Sequence, residues 1–549
     1  MRGMLAHRFV HHLLLLAVGS TLAFPWLGAS SLWDDDEGVN AECAREMAET
    51  GTWIVPLFNW ELRTAKPVLL YWLLRASYDA FGTHEFAARL PSALAFLGSI
   101  LLTYELGRRM FDAATGLLAG VIVASTLELV KLGRAATPDA TLLFCLLLYF
   151  WAFWRGHENG GRRWFVPCGT ASALAMLAKG PVGLVLPAAV VTSYFLGHRE
   201  LRRMFDRRMV WGVLVWILVA IPWYGLVTAE TRGEWTRAFF LKENLGRSTE
   251  PMENHRGPWL YYLGVAAVFF APWSSFLVAA LRDAWGCANV VGPEARASRF
   301  LLLWVAVVVG VFSLLATKLP HYVAPAYPAL AILTSRYLVR WRRGETEMPR
   351  WALALAVAGF VLTGLVVAAG MLAAGGALEY WEFTRNMRDF PGLEFWAWVA
   401  LLPMLGAAAF ARFARRDQRR QAVGALAVST VAFVGLLASY PPVIVDRAKA
   451  VKELVAASGA RDLHRDVRLA SYDYSQPSIT FYAARRVERL HTPEGAAAFL
   501  AMPHPSYLFV PAPTWDDWVV RFAKSPWRIA ARRYDFYRNC EVLVVVNDR

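Results

Sequence analysis

The sequence predicts a polytopic α-helical membrane protein that ends in a small α/β domain. Composition is the first reason: 57% of its 549 residues are hydrophobic and only 18% are charged, against about 25% charged in an ordinary globular domain. Apolar runs such as Leu13–Leu27 and Phe300–Ala316 approach the roughly 20 residues that cross a bilayer. Arginines, finally, gather in the short connections between these runs. The segments 198–208, 336–350 and 412–420 carry five each. The formal net charge of +14 therefore reads as membrane topology and not as a nucleic-acid footprint.

Taken in order, Met1–Arg8 is a basic head on an apolar run to about Leu27. Small residues at Gly28–Ser30 would suit a cleaved signal peptide, but the many later runs favour an uncleaved first span. Further spans are expected at about 86–107, 114–131, 137–155, 164–180, 182–197, 209–229, 258–281, 299–317, 321–339, 351–374, 394–413 and 421–439, thirteen in all. With the arginine-rich loops in the cytoplasm and an inside N-terminus, the segments 34–85, 131–137, 230–257, 318–320, 375–393 and everything after Ser439 face out. Residues 1–440 are thus expected to form the membrane domain, with amphipathic helices at the outer surface within 34–82. From 441 to 549, helix-like pieces alternate with β-rich runs at 467–471, 486–490, 506–510, 528–531 and 542–546. That alternation predicts an extracytoplasmic α/β domain with a core of its own. The five cysteines show no CxxC spacing and read as apolar fillers.

The outer segments hold the chemistry. Asp34, Asp35, Asp36 and Glu37 are consecutive. One acid suffices to cap a helix, and the others repel at a membrane edge unless a cation approaches. An aspartate aimed at a substrate there can act as base or orient an acceptor. The pattern Glu42, Arg45, Glu46, Glu49 with alanines between predicts an amphipathic helix lying on the membrane. Lys66-Pro67 heads an aromatic run. It is either a snorkelling lysine at a helix start or an ammonium that holds a lipid phosphate, with Arg63 beside it. Asp139 opens a span, as a cap or as a second acid of the same cavity. The loop 241–259 brings Arg247, His255 and Arg256 to the surface, and KLPHYVAPAYPAL (318–330) brings His321 and Tyr322 to a proline-broken span start. Irregular backbone at such depth is tolerated where it lines a cavity. No Walker loop, dinucleotide fingerprint or HExxH is present, so neither a nucleotide nor a catalytic zinc is indicated.

As an ordered set these motifs resemble the integral-membrane GT-C glycosyltransferases that use polyprenyl-phosphate sugars. They are nearest to the bacterial aminoarabinose transferases of lipid A, with the protein mannosyltransferases more distant. The residues carrying the resemblance are Asp36-Glu37, Ala41-Glu42, Arg45-Glu46-Met47, Gly51, Trp53, Pro56, Lys66-Pro67, Tyr71-Trp72, Gly82, Arg89-Leu90-Pro91, Asp139, His255-Arg256-Gly257-Pro258 and Lys318-Leu319-Pro320 with Tyr322. The resemblance implies a GT-C fold of about thirteen helices with a periplasmic α/β domain. It also implies an inner-membrane, periplasm-facing enzyme that moves a sugar, with inversion, from undecaprenyl phosphate to a lipid or glycan acceptor, foremost lipid A. Asp36 matches the family's catalytic aspartate, Lys66 its phosphate-holding lysine, Asp139 a second acid and Tyr322 a tyrosine near the donor.

The expected catalytic set is therefore Asp36, Glu37 and Asp139. The expected donor-binding set is Lys66, Arg63, Arg247, His255, Arg256, Tyr322 and His321. Three departures from the family pattern stand out. Thr64-Ala65 replaces a Phe-Glu whose glutamate helps bind a divalent metal in some members, so a divalent-metal site stays open but would lack that ligand. Val39-Asn40 replaces an Arg-Tyr, and Asn244 a histidine. The rival readings are a protein O-glycosyltransferase of the mannosyltransferase type, a polyprenyl-lipid transporter and a lipid-binding scaffold. A transporter predicts ionisable residues near mid-span, and here they cluster at span ends.

Overall fold

The computed structural model describes residues 2–159, 164–250, 255–378, 388–462, 464–521 and 527–547. Part of the expected outer loop 375–393, and Glu253 of the loop before Pro258, lie outside the described residues.

Seven helices are long and apolar enough to cross a membrane: Glu85–Met110, Pro138–Glu158, Met209–Glu230, Pro293–Leu314, Arg350–Ala374, Glu394–Arg415 and Arg419–Asp446. Two bent pairs raise the number to nine among the described residues, Ala113–Ala124 with Leu127–Gly133 (67°) and Tyr261–Phe269 with Trp273–Ala288 (115°). The first bend falls where the Ser125 and Thr126 hydroxyls donate back to the carbonyls of Val121 and Ile122, which competes with the helical ladder. The second falls at Pro272, which has no N–H to give.

Length and apolarity thus support seven to nine crossings where thirteen were expected. Helices do form at the other expected positions. Phe165–Lys179 and Val182–Gly197 are short, Tyr327–Arg343 has 17 residues and ends in arginines, and Arg2–Ala23 opens with arginine and histidine. Large apolar side chains such as Leu218, Leu263, Leu362 and Val366 point outward, as side chains facing lipid do. The bundle interior is one continuous apolar cluster that includes Phe150, Tyr194, Phe300 and Trp304.

Near the chain's start lies a two-stranded hairpin, β1 (Leu57–Phe58) and β2 (Glu61–Leu62). Its turn residues Asn59 and Trp60 have φ of 56° and 65°, the left-handed pair of a tight hairpin. At the C-terminus β3 (Arg468–Tyr472), β4 (Val487–Leu490), β5 (Ser506–Pro511), β6 (Arg528–Asp535) and β7 (Cys540–Val546) form one sheet in the order β4-β3-β5-β7-β6. β3 is parallel to β4 and β5, and β7 is antiparallel to β5 and β6. All five expected strands are present within a few residues.

Only one face of this sheet has a core of its own, built on Phe499, Leu508, Trp515, Trp518 and Val545. The other face shares a cluster with Leu32, Val39, Met47, Leu70, Tyr71 and Leu74. The Asn59 side chain completes that junction by both donating to and accepting from the backbone of Val487, each at 2.8 Å. An exposed sheet edge is satisfied in this way.

The helix Val39–Glu49 does not lie on a surface as its pattern predicted. Val39–Ala44, Glu46 and Met47 are all buried, with the helices Leu69–Phe81 and Ser478–Ala483 against it. Its charges are matched in part. Arg45 grips Glu42 with two bonds (2.7 and 2.8 Å) and Glu49 with a third (2.6 Å), and Glu46 accepts from Trp60 N–H at 3.0 Å. Burial pushes the Glu46 carboxyl up to about 8, towards its neutral form, and with Arg45 pairing Glu42 and Glu49 the alanine-rich helix can be buried.

Candidate active site

The acidic stretch begins with a widened helical turn, in which both Glu37 N–H and Gly38 N–H donate to the Trp33 carbonyl (3.0 Å each). Trp33 holds the capping position and offers no side-chain bond of its own. Widening aims successive side chains in different directions. Asp34 turns inward and accepts from Ser478 N–H at 2.8 Å, which fastens the C-terminal unit. Burial pushes its pKa up to about 6 against the opposing Ser478 bonds.

Glu37 is also buried, but both of its oxygens are engaged. Arg89 Nε and Nη2 donate to it at 2.9 and 2.7 Å, and the N–H groups of Trp33 and Ala136 at 3.0 and 2.7 Å. Burial alone would raise this carboxyl, and the Arg89 guanidinium outweighs it and holds the group below its ordinary value. Arg89 spends its other donors on the carbonyls of Leu27, Ser30 and Ser31. The pair is a strut between the first helix's end and Glu85–Met110. Asp36 alone of these three is exposed, and it lines a cavity of 440 Å³ together with Glu37, Arg89, Lys131, Arg134, Asp139 and His321.

Asp139 sits in the first turn of Pro138–Asn159 and is ion-paired with Lys179, while His321 Nε2 lies 3.8 Å from it. Lys179 ends the helix Phe165–Lys179, which stops at Gly180 with φ 86°. Its ammonium stands 5.2 Å from the centre of the Tyr322 ring. Lys66 precedes the helix Leu69–Phe81 and makes no hydrogen bond or ion pair among the described residues. Burial draws its pKa down to about 8; Lys179 and Arg247 act in the same direction, and Asp139 and Asp36 oppose them. Lys179 and Arg247, each with its own carboxylate, thus stand around a Lys66 that has no direct anionic partner among the described residues.

The other expected residues divide. Arg247 is held by Glu243 at 3.3 Å within the field of Lys66. Arg63 faces Tyr71, Cys43 and Glu243, one step behind Lys66, and its carbonyl accepts from Trp235 Nε1 at 2.9 Å. His255 and Arg256 are exposed and are not among the cavity's lining residues. Lys179, central here, was readable only as an ionisable residue in a Lys-Gly-Pro hairpin at membrane depth. No three His, Cys, Asp or Glu side chains converge to hold a cation among the described residues.

The chain is 32% identical over 422 residues to the undecaprenyl phosphate-alpha-4-amino-4-deoxy-L-arabinose arabinosyl transferase of Pseudomonas aeruginosa, covering 71% of this chain and 75% of that protein. The enzyme of the same name from Pseudomonas paraeruginosa is 31% identical, with 71% and 75% covered. The chain belongs to the undecaprenyl phosphate-aminoarabinose arabinosyl transferase family. The broader dolichyl-phosphate-mannose-protein mannosyltransferase family matches residues 65–225, the stretch that contains Lys66, Asp139 and Lys179. The fold of this arabinosyl transferase relative superposes on the crystal structure of ArnT from Cupriavidus metallidurans bound to undecaprenyl phosphate. The TM-score is 0.79 at 22% identity, covering 100% of this chain and 98% of the other. It is also similar in fold to the archaeal oligosaccharyltransferase AglB from Archaeoglobus fulgidus (TM-score 0.52, 13% identity, 92% and 69% covered).

Proposed function

We propose that this chain transfers a sugar from undecaprenyl phosphate to lipid A at the outer face of the bacterial inner membrane, with thirteen helices spanning the bilayer and the C-terminal sheet above them. The observation that carries the reading is the cluster of Lys66, Lys179 and Arg247 beside the cavity that Asp36 and Asp139 line. Family membership supplies the reaction class. The site lies at the end of the bundle opposite the arginine-rich loops, as an extracytoplasmic site requires.

The donor phosphate sits on Lys66, backed by Lys179 and Arg247, with the Tyr322 hydroxyl within reach of the same group. As the acceptor oxygen attacks the sugar's anomeric carbon, the bond from that carbon to the phosphate oxygen breaks and negative charge grows on the departing lipid phosphate. Cations already in place, in a site partly closed to water, lower the cost of that charge without reorganising. Asp139 keeps Lys179 aimed and offsets part of the positive field. Asp36 meets the acceptor. A hydroxyl acceptor hands it a proton, whereas an anionic phosphate acceptor has none to give and Asp36 steadies positive charge on the ring. Ala65 offers no ligand for a metal.

The test is Asp36→Asn in membranes supplied with a polyprenyl-phosphate sugar, followed by mass spectrometry of lipid A. Transfer falling by about 10²-fold or more is expected for a lost acid-base or orienting group. Normal transfer by this variant would overturn the assignment.

A further inference from the structure

A second cavity, of 720 Å³, lies among the helices Pro138–Asn159, Phe165–Lys179, Val182–Gly197 and Met209–Glu230. Its walls are apolar, with Phe153, Phe165, Phe195, Leu184, Val213 and Trp216 prominent. That volume falls in the range of about 300–1,000 Å³ usual for small-molecule sites. Its charged residues, Asp206 and Arg208, line the mouth together with His157.

Three features say what fits. The helices Val182–Gly197 and Met209–Glu230 both pack on Phe165–Lys179, with no more than glancing contact between themselves. The cleft therefore opens sideways, and Leu184 and Val213 on its lips are 41% and 46% exposed. At its base Gly169 and Gly212 meet backbone to backbone; a Cβ on Gly169 would lie 2.1 Å from the Gly212 carbonyl oxygen. The helices Phe165–Lys179 and Met209–Glu230 thus form one closely packed wall of the cleft.

The mouth is continuous with the loop 198–208 and its five arginines. Arg208 itself is 40% exposed and lies 3.7 Å from Asp206. Nearby, Arg155 lies over the Trp164 ring at 4.3 Å. Finally, His157 and Asp139 stand at opposite ends of one helix, about 27 Å apart at about 1.5 Å rise per residue. That separation is close to the full hydrocarbon thickness of about 30 Å, so this cavity opens to the leaflet opposite the transfer site.

We propose that this cavity binds one glycerophospholipid with an anionic headgroup from that leaflet. An acyl chain lies in the aromatic cleft and the phosphate rests against Arg208 and His157. The loop 198–208 at the mouth carries five arginines against Glu200 and Asp206, the excess positive charge that selects an anionic over a zwitterionic lipid.

The full-length protein, purified in mild detergent, is exchanged with phosphatidylglycerol or phosphatidylcholine and weighed intact by native mass spectrometry. One retained phosphatidylglycerol is expected, held about tenfold more strongly than phosphatidylcholine, which corresponds to about 1.4 kcal/mol. Arg208→Gln should remove that preference, and Ala188→Trp, which fills the cleft, should remove retention. Because either variant could misfold, a phosphatidylglycerol with a photoreactive chain is also cross-linked to the unaltered protein in vesicles. Adducts on peptides from 165–172 and 209–216 are expected. Equal retention of both lipids, retention undiminished in Ala188→Trp, displacement by undecaprenyl phosphate, or adducts elsewhere would each overturn the proposal.

Discussion

Replacing Arg89 with methionine isolates what the Glu37 strut contributes. The guanidinium meets Glu37 at 2.9 and 2.7 Å, and both side chains are almost wholly buried, at 3% and 2% exposure. At an effective dielectric of about 20, two unit charges 2.7 Å apart attract by about 6 kcal/mol, a sum largely offset by the cost of taking both from water. Removing only the cation keeps the desolvation cost of Glu37 and deletes the attraction, for a loss of about 3–5 kcal/mol. It also removes the donor to the carbonyls of Leu27 and Ser30, while the Ser31 carbonyl keeps the Lys449 ammonium at 2.8 Å. Arg89→Met should therefore lose its monodisperse gel-filtration peak at a much lower heating temperature than the unaltered protein.

The double variant Glu37→Gln with Arg89→Met removes both charges and should recover much of the loss, because no uncompensated ion remains. If Arg89→Met is as heat-stable as the parent, or if the double variant is the less stable of the two, the strut assignment is wrong. Glu37 would then be available as a reacting group.

Lys66→Met should weaken undecaprenyl-phosphate binding by about 10- to 100-fold, the range for one charged hydrogen bond of about 1.5–3 kcal/mol; Lys66→Arg should retain part of the affinity, as read by isothermal titration in detergent. Because the Lys66 pKa is drawn down to about 8, the ligand-free protein loses this cation as pH rises through that value. Phosphate affinity should then hold below pH 8 and fall up to about tenfold per pH unit above it, and a flat profile to pH 10 would refute the placement of Lys66. Asp34 shows the opposite linkage for stability. Its folded pKa of about 6 exceeds its unfolded value, so the folded state holds the extra proton and stability falls as pH rises between them. Asp34→Asn keeps an acceptor for Ser478 N–H and should stabilise the protein at pH 7.5 by as much as about 3 kcal/mol, with little difference near pH 4. A less stable variant at pH 7.5 would contradict this.

The sequence by itself determined the membrane class, the alternation of the C-terminal unit and the ordered motif set that announces the family. Each of these rests on local composition or on period, and one chain displays both in full. All five strands of the C-terminal sheet were readable, because a β-rich run bounded by turns carries its own signal. The thirteen expected spans were less secure. Hydropathy registers apolar runs, but not that Ser125, Thr126 and Pro272 bend two of them or that several are too short to count as crossings alone.

Only the tertiary structure decided what the charges do. In sequence, Asp34, Asp36 and Glu37 are near equals; in space, one fastens a domain, one opens on a cavity and one is locked to an arginine 52 positions away. The helix at 39–49 has an amphipathic period, but it is covered from one side by Leu69–Phe81 and from another by residues beyond 470, so its full burial could not be read locally. Lys179 reaches Asp139 across two helices, and Lys66 acquires its cationic neighbours from segments more than a hundred positions downstream. A carboxylate or an ammonium takes its role from the nearest opposite charge and from the water it has lost, and both are set by distant parts of the chain.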